Sequence, residues 1–199
     1  RSLILDTGHP DLCGFEALDG VQKTLRIPWS NIEVFLSHFH DDHDGNLLYC
    51  VQKGASKLYS GPTQIDSRTL IDNFLVLSSS ADLKSDSASS FIRLVAAGKK
   101  AQTCTQGSRI ELHGGETLSI AGYHFDVLLT PGHTSNHLCL LDKSKKIFFA
   151  GDHICDAPPG CMQYAINDHL VARYLESLAQ LKELNLQAVY MCHHNPLRG

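Results

Sequence analysis

The segment Ser37-His38-Phe39-His40-Asp41-Asp42-His43 decides how this chain is read. It follows directly on Ile32 to Leu36 (Ile-Glu-Val-Phe-Leu), an apolar-rich run that predicts a buried strand. In an extended segment, residues two apart project to the same side, so His38 and His40 can hold one metal ion. Asp42 and His43 come at the turn into the next helix and can point at a second. Three imidazoles and a hard carboxylate make a mixed nitrogen and oxygen donor set that suits Zn²⁺, with Fe or Mn as further candidates. A polar histidine-rich loop is the bland alternative.

Outward from this run, further ligand types sit where other strands are expected to end. His133 lies in Thr130-Pro131-Gly132-His133-Thr134, after a strand over 124–130. Asp152 lies in Ala150-Gly151-Asp152-His153, after a strand over 146–150, and His193 follows a strand over 187–191. Each alone reads as readily as a turn residue. Four strand-to-loop junctions that all deliver ligand types point jointly to a metal centre.

The rest of the chain alternates short β-rich runs with helical patterns, the signature of an α/β domain. Strands are expected at Ser2–Leu5 and Lys57–Tyr59, and helices at Phe15–Leu25 and Leu47–Gln52, the second capped by Gly54. Helical spacing at 65–77 and 89–97 flanks a serine-rich loop at 78–90. From Arg109 to Ala150 a run of short strands reads as an antiparallel meander. Leu170, Val171, Tyr174, Leu175, Leu178, Leu181 and Leu184 hold one face of a last helix.

With 43% hydrophobic and 19% charged residues, disorder is excluded. The 199 residues fit a single domain, 1–199. A net charge of −4 argues against retention on nucleic acid by phosphate neutralisation. No apolar run approaches the roughly 20 residues of a membrane span. Seven scattered cysteines without a C-x-x-C pair suit free thiols in a reducing compartment, hence a cytoplasmic location. The chain opens on Arg1 in what already reads as strand, and both ends are expected to be trimmed.

The ordered set H-x-H-x-D-H, P-G-H-T, G-D and a late histidine resembles the metallo-β-lactamase-fold hydrolases, over nearly the whole chain from Asp6-Thr7-Gly8 to Pro196. The resemblance implies a four-layer αβ/βα sandwich of mixed sheets with outer helices, and metals at one edge. It implies that His38, His40 and His133 hold one metal and that Asp42, His43 and His193 hold the other. Asp152 would bridge the pair. Asp6 would steady the histidine loop from behind, the alternative being a plain turn carboxylate. The pattern departs at Cys192-His193-His194-Asn195, where the family usually has glycine beside the histidine. His193 fits the ligand position better than His194, which could instead face the substrate. His137 and His153 read as packing or supporting residues, and His113, His124 and His169 as surface or turn residues. Cys155 and Cys192 read as small buried hydrophobes, and Tyr164 as core or pocket lining.

By this resemblance the chain is a dinuclear hydrolase with two Zn²⁺, in which a metal-bridging hydroxide attacks a small acyl substrate and Asp42 orients it and passes a proton. A thioester is the first choice. Glyoxalase-II-type relatives add a C-terminal helical part and the large nucleases add further domains, and neither is visible here. A mononuclear-iron persulfide oxidoreductase, a phosphodiester hydrolase on nucleic acid, and a non-catalytic binding protein are the competing readings.

Overall fold

The computed structural model describes residues 1–10, 14–62, 109–155 and 169–199. The expected helices at 65–77 and 89–97, the 78–90 loop and Tyr164 lie outside them. Among the described residues ten strands fall in two sheets. The first comprises β1 (Ser2–Leu5), β2 (Ile32–Phe35), β3 (Lys57–Ser60) and β4 (Arg109–Glu111), all parallel, in that order. The second holds β5 (Thr117–Ile120), β6 (Tyr123–Leu129), β7 (Leu138–Asp142), β8 (Ile147–Gly151), β9 (Ala188–Met191) and β10 (Leu197–Arg198), in the order β10-β9-β8-β7-β6-β5.

All four residues of β2 are buried, as a parallel strand covered on both faces requires. Its Phe35 joins Tyr59, Leu118, Phe125, Val127, Leu138 and Leu140 between the sheets. Val34 and Leu36 face the other way, against Leu47 and Cys50 of α3 (Leu47–Lys53), with Leu18 of α1 (Gly14–Leu25) packed alongside. The helix α4 (Leu170–Lys182) covers the far side of the second sheet, where Leu181 meets Cys139, Leu141 and Phe148. β7 divides its buried side chains by alternation, Leu138 and Leu140 inward, Cys139 and Leu141 outward. The layers therefore run helices, sheet, sheet, helix: the four-layer sandwich expected from the sequence.

One strand reading is corrected. The run at 109–111 does not open the meander; it pairs in parallel with β3, and only β5 to β8 are antiparallel neighbours in succession. A three-residue strand carries no mark of its partner, because pairing is a non-local choice. A further strand not read from the sequence follows Pro196, where Leu197 and Arg198 pair antiparallel with Val189 and Ala188. That places His193 and His194 in a hairpin loop.

Candidate metal centre

Topology gathers the candidate residues. β6 and β8 each pair antiparallel with β7, so they run in the same direction, and β9 is parallel to β8. The loops after β6, β8 and β9 therefore share one edge of the second sheet, and carry His133, Asp152 and His193. β1 and β2 deliver Asp6 and the histidine run from the first sheet. The run begins in extended form and closes into a one-turn helix, α2 (Asp41–Asp44), in which the His40 carbonyl accepts the His43 and Asp44 amides at 2.9 and 2.8 Å.

His38 Nε2, His40 Nδ1 and His133 Nε2 form a triangle with sides of 2.9, 3.0 and 3.2 Å. Hydrogen bonds alone cannot satisfy it: each nitrogen has one lone pair or one proton, directed along its own ring plane. Three nitrogens converging on one point is ligand geometry, and tetrahedral zinc with bonds of about 2.05 Å would set them about 3.3 Å apart. The second group is Asp42, His43, Asp152 and His193. Asp152 Oδ2 lies 3.2 Å from both His43 Nε2 and His193 Nε2, and 3.6 Å from His133 Nε2 of the first group. His193 Nε2 is also 3.2 Å from Asp42 Oδ2. The buried Asp152 Oδ1 has no hydrogen-bond partner. A buried carboxylate with one oxygen between two imidazole groups and the other without a partner fits a bridging ligand to two cations.

Electrostatics follow from burial and neighbours. Burial, with the surrounding histidines adding to it, holds His38 well below the ordinary imidazole range and His133 down to about 4. Both are thus neutral, as ligands must be. Burial opposes a charge on Asp152, but its hydrogen bond to His43 outweighs that and brings the carboxyl to about 2. Burial likewise disfavours protonated His43, yet hydrogen bonds to Asp152 and Asp6 raise its pKa far above the usual range. In the metal-free chain His43 is a cation held between two carboxylates, and a metal would take the place of its Nε2 proton.

A second set of residues fixes the ligands. Asp6, at a left-handed φ of 56°, accepts the Ser37 amide on Oδ1 at 2.7 Å. Its Oδ2 accepts the Ser37 hydroxyl at 2.7 Å and His43 Nδ1–H at 2.9 Å. The Ser37 oxygen in turn lies 2.9 Å from His38 Nδ1. These contacts place protons on the Nδ1 atoms of His38 and His43 and turn both Nε2 atoms toward the centre. Asp6 is therefore more than a turn carboxylate. His137 is fully buried, with Nε2 accepting the Asp152 amide at 3.3 Å and Nδ1 3.0 Å from Thr130 Oγ1, a supporting role. Gly151, at φ 52°, has no room for a side chain, since a Cβ would lie 2.8 Å from His137 Nε2.

Sequence reading missed Ser37, Thr7 and Asn46. The Asn46 amide reaches the carbonyls of Thr7, Gly8 and His9 at 2.9–3.1 Å, and Thr7 Oγ1 donates to the His43 carbonyl at 2.9 Å. Ser37 and Asn46 flank the histidine run and Thr7 follows Asp6, and those positions are the signal that could have flagged them. His153 is packing: it is fully buried against the Tyr174 ring, and neither ring nitrogen has a partner. His113, His124 and His169 are exposed. The two cysteines are corrections. Cys192 is exposed rather than a buried hydrophobe, and its thiol donates to Asp6 Oδ2 at 3.3 Å. Cys155 is half-buried, its thiol directed at the Asp152 carbonyl at 3.5 Å.

Known structures share this architecture. The metallo-beta-lactamase family protein TTHA1429 from Thermus thermophilus matches at 20% identity with a TM-score of 0.74, over 98% of this chain and 65% of its own. A beta-lactamase domain protein from Burkholderia ambifaria matches at 18% identity with the same TM-score, over 99% of this chain and 59% of its own. TTHA1623, solved in a di-iron-bound form, matches at 19% identity with a TM-score of 0.63, over 98% of this chain and 83% of its own. The chain thus spans less than two thirds of the length of the first two. The family model of the metallo-beta-lactamase superfamily matches residues 1–193. With the sandwich, the sheet-edge ligand groups and that match in agreement, the chain belongs to the metallo-beta-lactamase superfamily.

Proposed function

We propose that this chain is a metal-dependent hydrolase with a dinuclear centre, acting on a small acyl substrate, a thioester before a lactone. The superfamily consists largely of metal-dependent hydrolases. The observation that carries the reading is Asp152, whose Oδ2 reaches both histidine groups while Oδ1 stays buried and unpartnered. His38, His40 and His133 would hold one metal, Asp42, His43 and His193 the other, and Asp152 both. Such a pair supplies Lewis acidity toward a carbonyl oxygen and lowers the pKa of a shared water from 15.7 towards ~7.

The chain's own residues do the remaining work. Asp6 and Ser37 hold the His38 and His43 rings so that their Nε2 lone pairs face inward. Asp42 is about a third exposed and His193 about half exposed, so both stand where a substrate enters. Asp42 Oδ2, 3.2 Å from His193 Nε2, is placed to accept a proton from the attacking water and hand it to a leaving thiolate or alkoxide. His194, next to His193 in the hairpin loop, would contact the substrate. Zinc is the first choice of metal, and the di-iron relative supports iron as the alternative. The four described cysteines are free, which supports a reducing, cytoplasmic setting. Among the described residues no helix is long and apolar enough to cross a membrane.

The test is elemental analysis of protein purified without chelator, beside an Asp152→Ala variant and a panel of thioesters and lactones. About two metal ions per chain, falling in the variant together with turnover, is the expected outcome. Absence of metal after zinc is supplied, or turnover unchanged in the variant, refutes the proposal.

A further inference from the structure

Sulfur has no part in the two ligand groups above, yet one thiol stands directly behind them. Asp6 Oδ2 is 2.9 Å from His43 Nδ1 and 3.3 Å from Cys192 Sγ, and the three residues form a ligand-type group of their own. All three line a cavity of about 580 Å³ that also reaches Asp42 and His193 and runs between the sheets past Leu5, Phe35 and Tyr190. We propose that Asp6, His43 and Cys192 form a third metal site, facing this cavity and selective for a thiophilic cation such as Cd²⁺. Its occupancy takes His43 out of the group of Asp42, His43, Asp152 and His193 and so weakens metal binding there.

At zinc bond lengths of about 2.3 Å to sulfur and about 2.1 Å to nitrogen and oxygen, tetrahedral angles set S···O near 3.6 Å and N···O near 3.4 Å. The observed separations would open by about 0.3–0.5 Å for an ion of that size, and further for the larger Cd²⁺. The cavity provides entry and room for a water to complete the shell. Selectivity follows from the thiolate, which soft cations prefer to the nitrogen and oxygen sets beside it. Competition between the two groups follows from the imidazole. Ligation through Nδ1 leaves the His43 ring proton on Nε2, and that nitrogen no longer has a lone pair for the neighbouring site. Two protons pass to solvent, the thiol's as the metal–sulfur bond forms and the one on His43 Nδ1 as that nitrogen takes the metal, and no electrons are transferred.

The site is tested by adding Cd²⁺ alone to the purified chain and reading the sulfur-to-cadmium charge-transfer absorption. The expected result is a band saturating at about one Cd²⁺ per chain above the level left in Cys192→Ala, and retained in Cys155→Ala, which lies outside the triad. Loading the protein with zinc first should weaken that binding by roughly tenfold or more, because His43 is already engaged through Nε2. In isotopically labelled wild-type protein, coupling of cadmium to His43 Nδ1 rather than Nε2 reads the site without any substitution. A band of equal size in a folded Cys192→Ala, zinc-independent Cd²⁺ binding, or coupling at Nε2 would each overturn the proposal. None of these readouts depends on hydrolysis.

Discussion

Replacing Asp6 by Asn separates a carboxylate that sets histidine tautomers from one that merely closes a turn. The backbone is not the issue, since Asn tolerates the left-handed conformation Asp6 adopts at φ 56°. The side-chain change is larger than it looks. Asp6 Oδ1 can be kept as the amide oxygen facing the Ser37 N–H, but the amide nitrogen then faces His43 Nδ1 and Ser37 Oγ, where Oδ2 accepted at 2.9 and 2.7 Å. A donor there forces His43 to accept on Nδ1 and carry its proton on Nε2, so the second ligand group loses a lone pair. One hydrogen bond to a charged group is worth about 1.5–3 kcal/mol, and about 1.4 kcal/mol is tenfold in affinity. The second metal should bind about 10–100-fold more weakly, the range usual for loss of such supporting partners. The first group should shift by no more than about threefold, because Ser37 Oγ can still accept from His38 Nδ1. Chelator competition with stepwise metal release resolves the two sites. Equal weakening at both, or no weakening at the second, would refute the assigned tautomers.

Further outcomes follow from single residues. Gly151→Ala places a Cβ 2.8 Å from His137 Nε2 and 2.9 Å from Ser37 Cβ at a left-handed φ. It should cost about 1–3 kcal/mol in urea unfolding and lower metal content by displacing Asp152. His153 has a pKa brought down to about 4 by burial. The unfolded chain therefore takes up a proton first as pH falls below the ordinary 6.5. This group's share of stability is whole above 6.5 and is lost on acidification towards 4. At about 1.4 kcal/mol per pH unit it is on the order of 3 kcal/mol. His153→Phe, which keeps the ring against Tyr174, should flatten that part of the stability–pH curve of metal-free protein, and an unchanged acid limb would count against the assignment.

The local elements were legible because their signals are local. The run Ile32 to Leu36 reads as a strand covered on both sides, and the spacing of Leu170, Val171, Tyr174, Leu175, Leu178, Leu181 and Leu184 reads as a one-faced helix, α4, although Val171 and Leu175 of that set stand exposed. Gly54 ends α3 in the left-handed conformation that a glycine cap supplies. Ligand types at strand ends were also visible, because His38, His40 and His43 lie within one stretch of chain. Partner choice was not visible. The three residues of β4 and the two of β10 carry too little pattern to name a neighbour, and both took partners that only the packed molecule provides.

At the site the division is similar. The sequence by itself determined which side chains can bind a metal, since donor chemistry belongs to residue type and the two-residue spacing belongs to extended backbone. Only the tertiary structure decided which of them meet. His133 comes within 3.2 Å of His38 across 95 residues, and Asp152 within 3.2 Å of His43 across 109, because β6, β8 and β9 run the same way and end at one sheet edge. It also decided that Cys192 faces Asp6 from 186 residues away and that Ser37 passes hydrogen bonds between Asp6 and His38. Contacts of that kind leave no periodicity in the chain, because they depend on how separate strands are brought side by side.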